Sequence, residues 1–220
     1  TLYVQLMDGF GQMTETRSAS ITINPPRKAV VSIGWAYDDV APGCVFDSGL
    51  GINRMNYSAT ARTFVWDSGE DAGTVVKGDS VNFNEDIRVG GATTGDDSGM
   101  YPDSVLEKYV RYNGFPQNTY GHRTASIHLS PGTYRLRLFC SLNSTYKNST
   151  EFMKVQTVVD GVANVFELPD GYDVIGNLTR WLEQEITVPE SGMFELQWGM
   201  ENATKGWMEV PLNIIEIEET

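Results

Sequence analysis

At 220 residues, with 40% hydrophobic and 20% charged residues, the chain is long and apolar enough to bury a sizeable core, which excludes a disordered acidic tail. Lys and Arg number 16 against 29 Asp and Glu, a formal net charge of −13, so a phosphate backbone or an anionic membrane is repelled and no nucleic-acid partner is expected. The longest apolar run, Ala29 to Ala36, is interrupted by Ser32 and Gly34 and falls far short of the roughly 20 residues that span a bilayer, so no membrane insertion is expected.

Val, Ile and Thr outnumber Ala and Leu by two to one, which favours pleated sheets and predicts an all-β protein. The chain starts at Thr1 without an initiator Met or a charged-then-apolar leader and reads as a piece of something longer. Leu2 to Met7 and Thr16 to Ile23 flank Asp8-Gly9-Phe10-Gly11-Gln12, the pattern of a hairpin with a glycine-containing loop. Asn24-Pro25-Pro26-Arg27-Lys28 follows; two prolines remove donors and favour extended backbone, so a boundary is placed here, with 1–26 as hairpin plus linker and 27–220 as a β-sandwich.

Beyond Ala29, short strand-like runs recur between turn signals. Gly78-Asp79-Ser80 is similar to the nucleophile block of GDS-type esterases, but no D-x-x-H follows to supply a base, and coincidence is the better reading. The Gly90–Gly99 stretch is glycine-rich and acidic, unfit for phosphate. With Asp96, Asp97 and Asp103 it offers oxygen ligands for Ca²⁺, a plain solvated loop being the alternative. Ser104 to Tyr112 reads either as a helical turn capped by Ser104 with Glu107 completing a capping box, or as a strand. His122 and His128, six apart, have the wrong spacing for a metal pair without a third ligand.

In Thr133 to Cys140 the residues Tyr134, Leu136, Leu138 and Cys140 alternate with Arg135 and Arg137, so one face is core and one is wet. Phe194, Leu196, Trp198 and Met200 form a second such face opposite Glu195 and Gln197. At the C-terminus Val210, Leu212 and Ile214 fall in one phase and Ile215 and Ile217 in the other. The strand is therefore either buried on both faces there or bulged; the bulge is favoured, since it leaves Glu216 and Glu218 in water. The two cysteines, Cys44 and Cys140, leave a single bridge and two independent thiols both open. Asn56, Asn143, Asn148, Asn177 and Asn202 each begin an N-x-S/T triplet; most are expected to be unmodified.

Trp35, Tyr37, Tyr101, Tyr120, Tyr146, Tyr172 and Trp207 stand beside turn-forming and polar residues and not within alternating strands. Flat rings stack on the apolar face of a pyranose while neighbouring polar groups bond its hydroxyls. The alternative for any one of them is capping of the core.

The opening hairpin resembles the last two strands of immunoglobulin-like or polycystic-kidney-disease-type repeats of large bacterial surface proteins. Asn118 to Cys140, Val158-Val159-Asp160-Gly161, and Gly192 to Trp198 followed by Pro211 to Ile215 together resemble the malectin-like domains, over roughly residues 118–218. Phe139-Cys140-Ser141 departs from that family's F-A-E element at two positions. What this resemblance implies is a galactose-binding-like jelly roll that recognises glycans through loop aromatics, with Tyr120 on the family's Y-G tyrosine and Tyr146 in its aromatic loop. The expectation is a non-catalytic, monomeric carbohydrate-binding module of a secreted or cell-surface bacterial protein. It would bind a polysaccharide or oligosaccharide through Tyr120, Tyr146 and Trp207 with help from Asn143 and Arg123, beside neighbouring domains of a longer chain. A calcium-stiffened structural or adhesive spacer and a carboxylate-dependent glycan-degrading enzyme are the alternatives.

Overall fold

The structure, a computed structural model, describes residues 2–4, 17–19, 25–41, 43–78, 87–114, 120–143, 150–202 and 208–220. Tyr146, Trp207, Asp79, Ser80 and the Asp8–Gln12 turn lie outside them. Strands β1 (Leu2–Val4) and β2 (Arg17–Ala19) pair antiparallel with Leu2 opposite Ala19, as a hairpin requires.

The all-β sandwich expected from composition and turn spacing, a jelly roll as the malectin-like resemblance implies, is what the chain forms. Its front sheet has six strands in the order β13 (Val162–Val165), β12 (Met153–Val159), β15 (Met193–Glu201), β10 (Tyr120–Leu129), β7 (Asp71–Lys77) and β6 (Arg62–Val65). The back sheet runs β14 (Leu182–Val188), β11 (Gly132–Phe139), β17 (Ile214–Glu219), β3 (Lys28–Ser32), β5 (Ile52–Met55) and β4 (Cys44–Asp47), with β3 and β5 parallel. A side sheet of β16 (Met208–Leu212), β9 (Lys108–Gly114) and β8 (Ile87–Val89) packs against the same core.

Period-two alternation builds that core. Ala125, Ile127, Leu196, Trp198 and Val155 of the front sheet face Val31, Leu136, Leu138, Ile215 and Ile217 of the back sheet, all essentially inaccessible. Each large side chain buried this way contributes about 1.5–3 kcal/mol by transfer out of water. The Val158–Val162 hairpin turns on Asp160 (φ 48°) and Gly161 (φ 79°); two central residues at positive φ match the right-handed twist of the paired strands.

The back sheet is covered on its other face as well. Val30, Ile52, Phe139 and Ile214 point away from the main core into a second cluster, closed by Val105 and Leu106 of the one-turn helix α1 (Asp103–Leu106) together with Trp35, Val40 and Trp181. This corrects two expectations. The N-cap of α1 is Pro102, whose ring supplies no side-chain bond, and not Ser104; the chain then becomes strand at Lys108, so the stretch is part helix and part strand. At the C-terminus there is no bulge. The chain leaves the side sheet at Leu212 and enters the back sheet at Ile214, with fully buried Asn213 between them. Because α1 and its loop lie over this part of β17, Glu216 is only 3% exposed, held by Arg137 (2.8 Å), Lys28 (3.4 Å) and the Tyr101 hydroxyl (3.3 Å). Pro211 is accommodated because β16 is an edge strand.

Both cysteines are free thiols, Cys140 in the main core and Cys44 packed against it. Burial pushes the Cys44 thiol up to about 11, partly opposed by Arg62, and burial pushes Cys140 up to about 12. At pH 8 only about one Cys44 thiol in a thousand is then thiolate, the reactive form. The native protein is therefore expected to react slowly with a thiol reagent, and the unfolded, unreduced protein to release two equivalents. Zero equivalents after unfolding would show a Cys44–Cys140 bridge instead.

Candidate functional site

β10 begins at Tyr120, opposite Glu201, the last residue of β15, and alternation places Tyr120, His122, Thr124, Ser126 and His128 on the outer face of the front sheet. The Tyr120 ring stacks on His122 (centroids 4.5 Å apart, planes 20° apart), and its hydroxyl donates to the Lys154 carbonyl on β12 (3.2 Å). The ring thus reaches from β10 across to β12, over a row in which His122, Gly199 and Lys154 stand side by side. Gly199 permits the closeness of that row: a Cβ there would sit 1.9 Å from the Gly121 carbonyl oxygen. The Lys154 ammonium lies 4.9 Å from the Tyr120 ring centroid and pairs with Glu201 (2.9 Å). Burial, and after it the Glu201 charge, pushes the Tyr120 hydroxyl well above its ordinary range, so it stays protonated and a donor.

Further along the same face Gln156 donates to Gln197 (2.7 Å), and Gln197 donates to Glu195 (2.9 Å). Thr124, Gln156 and Gln197 are each less than a tenth exposed. The accessible polar residues of this face lie at its two ends: Tyr120, His122, Lys154 and Glu201, all half-buried, at one, and half-buried Ser126 and Glu195 with exposed His128 at the other.

The other residues singled out from sequence fall in different places. Arg123 has the opposite phase to Tyr120: it points to the core side, 7% exposed, with its guanidinium 5.8 Å from the Tyr112 ring centroid. Asn143 is exposed beyond β11, its backbone N–H donating to the Gly90 carbonyl (2.8 Å). Tyr146 and Trp207 lie outside the described residues, but the strands they connect are placed. Met153, where the chain re-enters the front sheet after Tyr146, pairs with Met200, and Glu201, where it leaves before Trp207, pairs with Tyr120.

Three loop aromatics are packing residues. Trp35 is buried beneath Arg54 and Lys108, Tyr172 is buried with its hydroxyl donating to the Cys140 carbonyl (3.4 Å), and Tyr101 lies edge-on to Trp181. They join no outward platform. His122 follows from Tyr120 by strand alternation, whereas Lys154 and Glu201 arrive through cross-strand register, for which the linear sequence carries no signal.

The acidic loop is closed on itself. Asp103 accepts from the amides of Thr94 (2.8 Å) and Gly95 (2.7 Å), Asp97 accepts from the Asp103 amide (2.7 Å), and Asp96 from that of Ser98 (3.1 Å). The Thr94 amide foremost holds the Asp103 carboxyl below the usual carboxylate range, and the Ser98 side chain does the same for Asp96. Among the described residues no group of three or more His, Cys, Asp or Glu is placed to hold a metal ion. Each of these three carboxylates is thus engaged by at least one backbone amide of its own loop.

No family model matches this sequence, and no curated protein matches it significantly. Among solved structures, similar chains include the ANXUR2 extracellular domain from Arabidopsis thaliana, at 15% identity and TM-score 0.48, with 88% of this chain and 48% of that one covered. Another belongs to the complex of the plant peptide RALF23 with FER and LLG2, at 17% identity and TM-score 0.46, covering 98% of this chain and 54% of that one. A family 35 carbohydrate binding module from an environmental isolate aligns at 15% identity and TM-score 0.30, over 65% of this chain and 90% of that one. The chain spans about half the length of the first two. Similarity of this size assigns no function, and the class of protein is read from its own architecture: a β-sandwich with a polar and aromatic patch at one end of its front sheet. No helix among the described residues is long and apolar enough to cross a membrane.

Proposed function

We propose that this chain is a non-catalytic, extracellular carbohydrate-binding module that takes a neutral glycan at the Tyr120 end of the front sheet. The observation that carries the reading is the juxtaposition there of a stacked Tyr120–His122 ring pair with the Lys154–Glu201 ion pair on one outer face. Aromatic carbon gives a sugar's C–H surface a contact, and the ion pair presents donors and acceptors already ordered for hydroxyls. The two charges cancel locally, and the chain as a whole carries −13, so uronic-acid or sulfated polymers are disfavoured. In this reading Tyr146 and Trp207 extend the contact surface, while Arg123 supports it from the core side through Tyr112.

Affinity electrophoresis against neutral and uronic polysaccharides tests the proposal. Retardation is expected in neutral gels only, and Tyr120→Ala is expected to weaken it about tenfold, the equivalent of about 1.4 kcal/mol. Tyr120→Phe keeps the ring and is expected to retain most of the binding. Mobility unchanged in every neutral gel, or a Tyr120→Ala protein that binds as the parent does, overturns the assignment.

A further inference from the structure

The five N-x-S/T triplets are identical as motifs and sharply unequal in structure. Asn177 is 6% exposed and its carboxamide is fully committed: Nδ2 donates to the carbonyls of Cys140 (3.0 Å) and Arg180 (2.8 Å), while Oδ1 accepts from the amides of Thr179 (3.3 Å) and Arg180 (2.8 Å). Asn56 is partly buried, and its Nδ2 donates to the Trp35 carbonyl (3.0 Å). Asn143 and Asn202 are exposed, and neither carboxamide makes a hydrogen bond among the described residues. Asn202 sits at φ 55° in the turn that ends β15, a left-handed position that directs the chain out of the sheet. Asn148 lies outside the described residues.

We propose that Asn143 and Asn202 are N-glycosylation acceptors, and that Asn56 and Asn177 bear the triplet without being occupied in the folded protein. In the modification Nδ2 forms a bond to the anomeric carbon of a lipid-linked oligosaccharide. The bond from that carbon to the lipid pyrophosphate breaks, the pyrophosphate leaves with its electron pair, and Nδ2 gives up one proton. An added sugar needs open space and a free carboxamide. At Asn177 it would take a hydrogen from an Nδ2 whose bond to the Cys140 carbonyl joins the 170–181 loop to the end of β11, in a carboxamide whose other three bonds close the 177–180 turn, and the folded state would not form around it. At Asn143 and Asn202 nothing described stands in the way. The inference requires passage through a secretory route that carries such a donor, and it does not depend on the chain binding sugar itself.

The test is to secrete the 220-residue chain from a eukaryotic host and map its peptides after enzymatic deglycosylation in heavy-oxygen water, which marks each formerly occupied Asn. Marks are expected at Asn143 and Asn202 and none at Asn56 or Asn177. Asn202→Gln and, independently, Thr204→Ala are each expected to remove one glycan mass from the intact protein. Bare Asn143 and Asn202 in the secreted protein, or a glycan on Asn177 of folded material, overturns the proposal. Glycan-binding titrations use unmodified protein from a bacterial host, so failure of one reading leaves the other standing.

Discussion

Trp198→Ala is expected to lower stability by about 3–5 kcal/mol, the usual cost of deleting a large aromatic side chain from a core that cannot collapse around the gap. Trp198 has no accessible surface, stands in register with Arg123 on one side and Val155 on the other, and meets Tyr57 edge-on at 5.7 Å. Tyr57 is itself pinned, its hydroxyl donating to the Thr124 carbonyl at 2.5 Å, so the site has little freedom to fill in. Against a total of about 5–15 kcal/mol for a typical domain, that loss takes a large share of the folded-state margin. Trp198→Phe is the control: the indole N–H has no hydrogen-bond partner among the described residues, so this change breaks no hydrogen bond, leaves a smaller gap and is expected to cost less. Urea unfolding followed by circular dichroism reads both. A midpoint for Trp198→Ala within error of the parent's would contradict the packing described.

Asn213→Leu is expected to cost about 2–6 kcal/mol, at about 1–3 kcal/mol for each buried polar group left unpaired. Asn213 Oδ1 accepts from the Ser141 amide (2.8 Å) and Nδ2 donates to the Leu106 carbonyl (2.8 Å), while its own amide donates to Phe139 (3.0 Å). One buried side chain thus ties together the end of β11, the end of α1 and the switch from side sheet to back sheet. Leucine of similar volume satisfies neither Ser141 nor Leu106. Hydrogen exchange distinguishes this from simple core loss: the Ser141 amide is expected to lose protection before the amides of the front-sheet strands β10 and β15. Equal protection of Ser141 in both proteins would remove the bridging role.

Where one face of a strand is core and the other wet, local pattern and tertiary outcome agree. Thr133–Cys140 and Met193–Met200 alternate in sequence, and the structure buries their apolar phases and leaves Arg135 and Arg137 at the surface side. The agreement ends where a second layer lies over a sheet. Ile214 and Ile215 have opposite phases and both are buried, because α1 and Trp181 cover the back sheet; a two-sided burial looks in sequence like a bulge. The same cover turns Trp35 and Tyr101 from loop aromatics into packing residues, since a ring beside Gly or Asp in sequence is free only if nothing folds over it.

Of the candidate site, Tyr120 was legible from its Y-G context, and His122 from the two-residue period. Arg123 shows the limit of proximity arguments: one residue from His122, it faces the opposite side of the sheet.

What the amino-acid order determined by itself is the class of fold and the alternating cores of its strands, because β-branched content and period two act through the backbone of each strand locally. What only the tertiary structure decided is which polar groups meet. Lys154 reaches Tyr120 and Glu201, and Asn213 reaches Ser141 and Leu106, through pairings between strands and loops distant in the chain. Those pairings are set by the register and layering of whole sheets, which no single segment encodes.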